Sequence, residues 1–132
     1  MSPLIIGVDF DGTIVEHMYP AIGAAVPGAI ETLKACTSRG ARLILWTMRD
    51  DRGEDGPVLS EAVAYLKRAG VDLWGVNSNP EQDWSASPKA YCHIYVDDAS
   101  AGCPLVTVGA NRKVADWEIL APILLRKIDE RS

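Results

Sequence analysis

The order of apolar and polar positions divides this chain into short strands and amphipathic helices. Leu4-Ile5-Ile6-Gly7-Val8 is an apolar run that predicts a buried strand. Residues 15–26 hold His17, Pro20, Gly23 and several alanines without a clear period, which predicts a loop or a short hairpin. Pro27 suits the first turn of a helix, and Ile30, Leu33 and Cys36 form one stripe over residues 29–39, closed by Arg39 and Gly40. Arg42-Leu43-Ile44-Leu45-Trp46-Thr47 is too short for a helix and predicts a second strand. Residues 48–57 are polar and predict a loop. Leu59, Ala62, Val63 and Leu66 then repeat at helical spacing over 59–69, before Gly70.

Residues 71–76 predict a third, weaker strand, and the Asn-, Ser-, Pro- and Asp-rich stretch 77–88 a loop. Lys89-Ala90-Tyr91 allows one helical turn. His93-Ile94-Tyr95-Val96 and Leu105-Val106-Thr107-Val108 predict a fourth and a fifth strand. Val114, Trp117, Leu120, Leu124 and Ile128 mark a terminal helix over 114–128 that Pro122 should kink or split. Apolar strands alternating with helices through short connections predict a five-stranded, mainly parallel α/β sheet with helices on both faces. Ligands of such sheets bind at the carboxyl ends of the strands.

That rule gathers chemistry at one edge. Asp9 and Asp11 follow the first strand and, two apart in extended chain, can face one small volume. Gly12 allows close backbone approach and Thr13 supplies a hydroxyl. Thr47 ends the second strand, with Arg49 close behind it. Asp97 and Asp98 end the fourth, and Lys89 precedes it. Gathered carboxylates repel unless a cation joins them, and an all-oxygen donor set suits magnesium. Magnesium, a lysine and a hydroxyl around a carboxylate make a set for phosphoryl transfer.

Composition narrows this picture. One domain fits 132 residues, and 13 basic against 18 acidic residues leave a net charge of -5, without the basic excess of a nucleic-acid binder. Cys36, Cys92 and Cys103 have no C-x-x-C spacing and read as reduced, buried thiols of a cytoplasmic protein. No secretory leader and no membrane span is expected.

The chain resembles the haloacid dehalogenase superfamily of phosphohydrolases. The resemblance rests on four motifs in order over the first hundred residues: Asp9-Phe10-Asp11-Gly12-Thr13, Thr47 after its apolar strand, Lys89, and Asp97-Asp98 after theirs. It implies a single Rossmann-like domain spanning 1–132 and a phosphatase acting through an aspartyl-phosphate. Members often carry a cap domain, but the intervals from Ile14 to Pro27 and from Thr47 to Lys89 leave no room for one, so a capless type is expected. Asp9 would be the nucleophile and Asp11 the acid and base for leaving group and water. Thr47, with backbone amides near Phe10 and Gly12, would hold phosphate oxygens, and Lys89 would screen the charge. Asp9, the Asp11 carbonyl, Asp97 and Asp98 would bind Mg2+. Asp11 favours phosphate over carbon–halogen chemistry, because the dehalogenases of this superfamily lack the second aspartate.

Other assignments are weighed beside these. Arg49 and Arg52 are either substrate contacts or a solvated charged loop. His17 and Glu16 lie in the flap after the first motif. Trp84 reads as a loop anchor, and His93 and Cys92 as packing residues. The expected partner is a small phosphate ester, with a homo-oligomer shielding a site that lacks a cap. The alternatives are an enzyme acting on nucleic-acid phosphate ends and a non-catalytic phosphate-binding module on the same fold.

Overall fold

The computed structural model describes residues 2–109 and 112–131. They form one α/β domain. Strand β1 (Ile5–Val8) is followed by helix α1 (Ala29–Ser38), β2 (Arg42–Leu45), α2 (Val58–Arg68), β3 (Gly75–Val76) and β4 (Ile94–Val96). The chain ends in β5 (Leu105–Val106), β6 (Val114–Ala115) and α3 (Trp117–Asp129). Among the described residues no helix is long and apolar enough to cross a membrane.

The main sheet has four parallel strands in the order β3-β2-β1-β4, not five. β5 leaves it and pairs antiparallel with β6. A return to a parallel neighbour needs about a dozen residues of crossover. Residues 97–104 are too few, and they turn tightly through Ser100 N–H to the Asp97 carbonyl at 2.9 Å. β6 falls where sequence periodicity predicts the start of the last helix. Its extended Val114-Ala115 pair is fully buried, and α3 begins only after Asp116, whose carboxylate caps the Glu118 amide at 3.1 Å. Pro122 neither splits nor ends α3. The carbonyl that its missing N–H leaves unpaired belongs to Glu118, which is exposed and open to water.

Helices cover one face of the sheet rather than both. Ile6, Val8, Leu43 and Leu45 share a core with the buried residues of α1, α2 and α3. Ile44 on the other face packs with Ala90 and Cys92, and with Ile5, Trp46, Trp74 and Tyr95. That face is covered by the irregular crossover of residues 77–93, which brings the chain from β3 to β4 and holds no helical turn at Lys89. Gly40, at φ 93°, follows α1 as expected for a left-handed helix stop.

Candidate active site

Strand pairing carries β1 and β4 to a common edge, where the Asp9 amide still donates to the Val96 carbonyl at 2.9 Å. Asp9 ends one strand and Asp97-Asp98 the other, so register alone brings them together. One carboxylate oxygen from each of Asp9, Asp97 and Asp98 lies within 4.8 Å of the others. Buried Thr13 joins them. Its hydroxyl oxygen accepts from the Asp98 amide at 3.0 Å and lies 3.2 Å from Asp9 Oδ2 and 3.3 Å from Asp98 Oδ1. Its carbonyl accepts from Trp117 Nε1 at 2.7 Å, which ties the loop to α3. Burial, with the charge of Asp97 behind it, pushes the Asp9 carboxyl up to about 8, and a hydrogen bond from the Phe10 amide opposes this.

A cleft of about 330 Å³ opens beside this group, lined by Asp9, Asp97, Thr47 and Asn77 at its polar end and by Trp46, Met48 and Pro88 as an apolar wall. Thr47 accepts from the Arg49 amide at 3.1 Å, and its own proton goes to no described acceptor.

The structure separates Asp11 from Asp9. Phe10 O accepts from the amides of Thr13, Ile14 and Val15, so the chain turns immediately after β1 and strand alternation no longer applies. The Asp11 carboxylate instead receives Arg49 Nε and Nη2, both at 2.8 Å. Arg49 is not a solvated loop residue, and its guanidinium is committed to partners within the chain. It is 2% exposed and also donates to the carbonyls of Pro20, Ala21 and Val58 at 3.3, 2.9 and 3.1 Å. Its guanidinium stacks between the rings of Phe10 and Tyr19, 5.0 and 5.2 Å from their centroids. Arg52 is an exposed partner of Asp50.

Phe10 and Gly12 also lie outside the cleft. The Phe10 ring is core, and the Gly12 amide is spent on the Val15 carbonyl at 2.7 Å. Gly12 serves close packing. At φ 83°, its missing Cβ leaves room for the His17 ring and for Asp98 Oδ2, which a Cβ would meet at 2.6 Å. Lys89 is exposed, with its ammonium 5.2 Å from the Tyr95 ring centroid, and no ion pair joins it to Asp9 among the described residues.

From sequence, His17 is weighed as a flap residue that could touch substrate, without a defined role, and Asn77 is passed over. His17 reaches back from the flap to place Nε2 3.3 Å from Asp98 Oδ2. Asn77 lines the cleft directly after β3. The strand-end rule points to Asn77, because it follows Val76 as Thr47 follows Trp46, whereas no spacing signal marks His17. The flap is a short hairpin, with Val26 N–H to the Ile14 carbonyl at 2.8 Å and Glu16 N–H to the Ala24 carbonyl at 2.9 Å. Cys92 and His93 are packing residues as expected. Burial pushes the Cys92 thiol up to about 11, and His93 Nδ1 accepts from the Ile5 amide at 2.8 Å. Trp84 stands edge-on to Tyr91 at 5.8 Å while 64% exposed.

No protein-family model and no curated protein matches this chain. A solved structure does, that of a conserved protein from Bacteroides thetaiotaomicron. The two share 35% sequence identity and a TM-score of 0.75, over 96% of this chain and 93% of that one. At that identity and coverage, this chain belongs to one family with the conserved Bacteroides thetaiotaomicron protein.

Proposed function

We propose that this protein is a magnesium-dependent phosphohydrolase of the haloacid dehalogenase type, with Asp9 as its nucleophile. One observation carries the reading: Asp9, Asp97 and Asp98 converge at the carboxyl ends of adjacent parallel strands beside a cleft that also holds Thr47. The donors fit magnesium, being hard oxygens with no thiolate among them. Burial first, and then the neighbouring Asp97 and Asp98 carboxylates, raise the Asp9 carboxyl, and a bound cation would oppose that shift. Asp9, Asp97 and Asp98 would hold the ion, together with the Asp11 main-chain carbonyl. When bound, it supplies positive charge against the phosphate oxygens.

In this reading an ionised Asp9 oxygen attacks phosphorus, the ester P–O bond breaks, and the leaving oxygen takes a proton from water or from Asp11 freed of Arg49. Water then cleaves the aspartyl-phosphate and frees Asp9. Thr47 donates its hydroxyl proton to a phosphate oxygen. The leaving group lies against Trp46, Met48 and Pro88. Asp11 performs acid–base work only when its pair with Arg49 opens, since both its oxygens are engaged at 2.8 Å. Lys89 screens charge only when its flexible side chain leaves the Tyr95 ring. The net charge of -5 favours a small ester over a nucleic-acid end.

Met48, which lines the cleft and is 96% exposed, suits a second copy of the chain that shields it. The test of the reading is a screen of phosphate esters with wild type and Asp9→Asn, in magnesium and in excess chelator. Turnover confined to wild type in magnesium supports it, and a wild type inert on every ester refutes it.

A further inference from the structure

We infer that Asn77 is a substrate-binding residue of this cleft, donating its side-chain NH2 to a phosphate oxygen of the bound ester. The inference rests on the phosphohydrolase reading and adds a donor that the four-motif resemblance does not contain. Asn77 has φ 53°, the one positive value at a non-glycine position among the described residues. Left-handed backbone costs an L-residue energy, and asparagine tolerates it best of those with a side chain. Strain of this kind collects at sites where surrounding bonds enforce it. Here they do: the Asn77 amide donates to the Leu45 carbonyl at 2.7 Å, and the Thr47 amide donates to Asn77 Oδ1 at 2.8 Å.

Those bonds also orient the side chain. Thr47 N–H is a donor, so the carboxamide must turn its oxygen toward it and its NH2 away. The NH2 meets no acceptor among the described residues, whose hydrogen bonds at Asn77 are the two just given. Asn77 lines the cleft beside Asp9 and Thr47, and it lines the concavities on both sides, of about 420 and 320 Å³. The polar end of the cleft is otherwise rich in carboxylates, which repel phosphate oxygens. Thr47 supplies one neutral donor there, and Asn77, bonded to its backbone, supplies a second at a fixed offset from it. A turn that needed only left-handed backbone would be served better by glycine.

Two variants separate a ligand donor from a turn residue. Asn77→Gly keeps the backbone conformation and removes both the donor and the acceptor of the Thr47 amide. Asn77→Asp keeps the acceptor for Thr47 and replaces the NH2 by a charged oxygen. Melting temperature, calorimetric affinity for inorganic phosphate in saturating magnesium, and kcat and KM on the best ester are measured for each. The expected result is an Asn77→Gly that stays folded, its relief of left-handed strain set against the lost Thr47 bond, with phosphate binding weakened about tenfold or more. Asn77→Asp should weaken binding further, and KM should rise more than kcat falls. A folded Asn77→Gly or Asn77→Asp that binds phosphate like wild type overturns the assignment. If wild type binds phosphate, the variants do not, and no ester is hydrolysed, the assignment stands and the phosphohydrolase reading fails. If wild type hydrolyses esters and the variants match its KM, the assignment alone fails.

Discussion

Asp11 and Arg49 form a two-pronged ion pair, Nε to Oδ2 and Nη2 to Oδ1, each at 2.8 Å. Around it the same guanidinium binds carbonyls of the flap and of the first turn of α2, so one side chain fastens three segments.

Arg49→Met should therefore destabilise the fold. Removing one partner of a buried pair costs roughly 3–5 kcal/mol, and less where the orphaned charge can rehydrate. Asp11 retains 20% side-chain exposure, so a loss of about 2–3 kcal/mol is expected by urea denaturation. A loss below about 0.5 kcal/mol, the usual range of a surface substitution, would show that the pair is ornamental.

A pH signature follows from Asp9. Its folded carboxyl stands at about 8 against an ordinary 3.8, so the folded protein keeps a proton that the unfolded chain has lost. The resulting stability is fully present below about 3.8 and is lost as pH rises toward about 8. Metal-free wild type should lose melting temperature across that interval, and Asp9→Asn should flatten the trend. Magnesium competes with the same proton, so its stabilising effect should grow with pH. Identical pH slopes for the two proteins would contradict this.

Gly12→Ala tests the packing behind the carboxylates. The substitution places a Cβ against His17 and 2.6 Å from Asp98 Oδ2, on backbone at φ 83°. A cost of about 1–3 kcal/mol is expected, with weakened magnesium binding by calorimetry. Unchanged stability and metal affinity would mean that the loop relaxes freely.

The exposed apolar side chain of Met48 at the cleft predicts self-association. Light scattering at micromolar concentration should report a dimer or larger species. A strict monomer that hydrolyses small esters efficiently would leave the flap as the only cover.

Much of the fold was legible because its strands and helices have opposite periods. Leu33 and Cys36, or Ala62 and Leu66, stand on buried helical stripes, and β1, β2 and β4 lie within their apolar runs. The fifth strand was misplaced because an apolar run does not name its partner. Leu105-Val106 pairs with Val114-Ala115 only because residues 97–104 cannot cross the sheet. Alternating apolar strands and helices imply helices on both faces, and the helix-free stretch 77–93 covers the second face instead. At the site, register carried Asp9, Asp97, Asp98 and Thr47 to one edge, as strand ends imply. The Asp11 and Arg49 side chains pair with each other and Lys89 lies by the Tyr95 ring, because side-chain direction beyond a strand end depends on turns and long rotamers that spacing does not encode.

Trapping the covalent intermediate tests the central claim most directly. Wild type mixed in magnesium with the ester it hydrolyses best is quenched in acid within one turnover, digested and examined by mass spectrometry. The account predicts one hydroxylamine-labile phosphoryl group on the peptide carrying Asp9, and none in Asp9→Asn. Rapid hydrolysis with a phosphoryl group on a different residue, or turnover by Asp9→Asn at the wild-type rate, would contradict it.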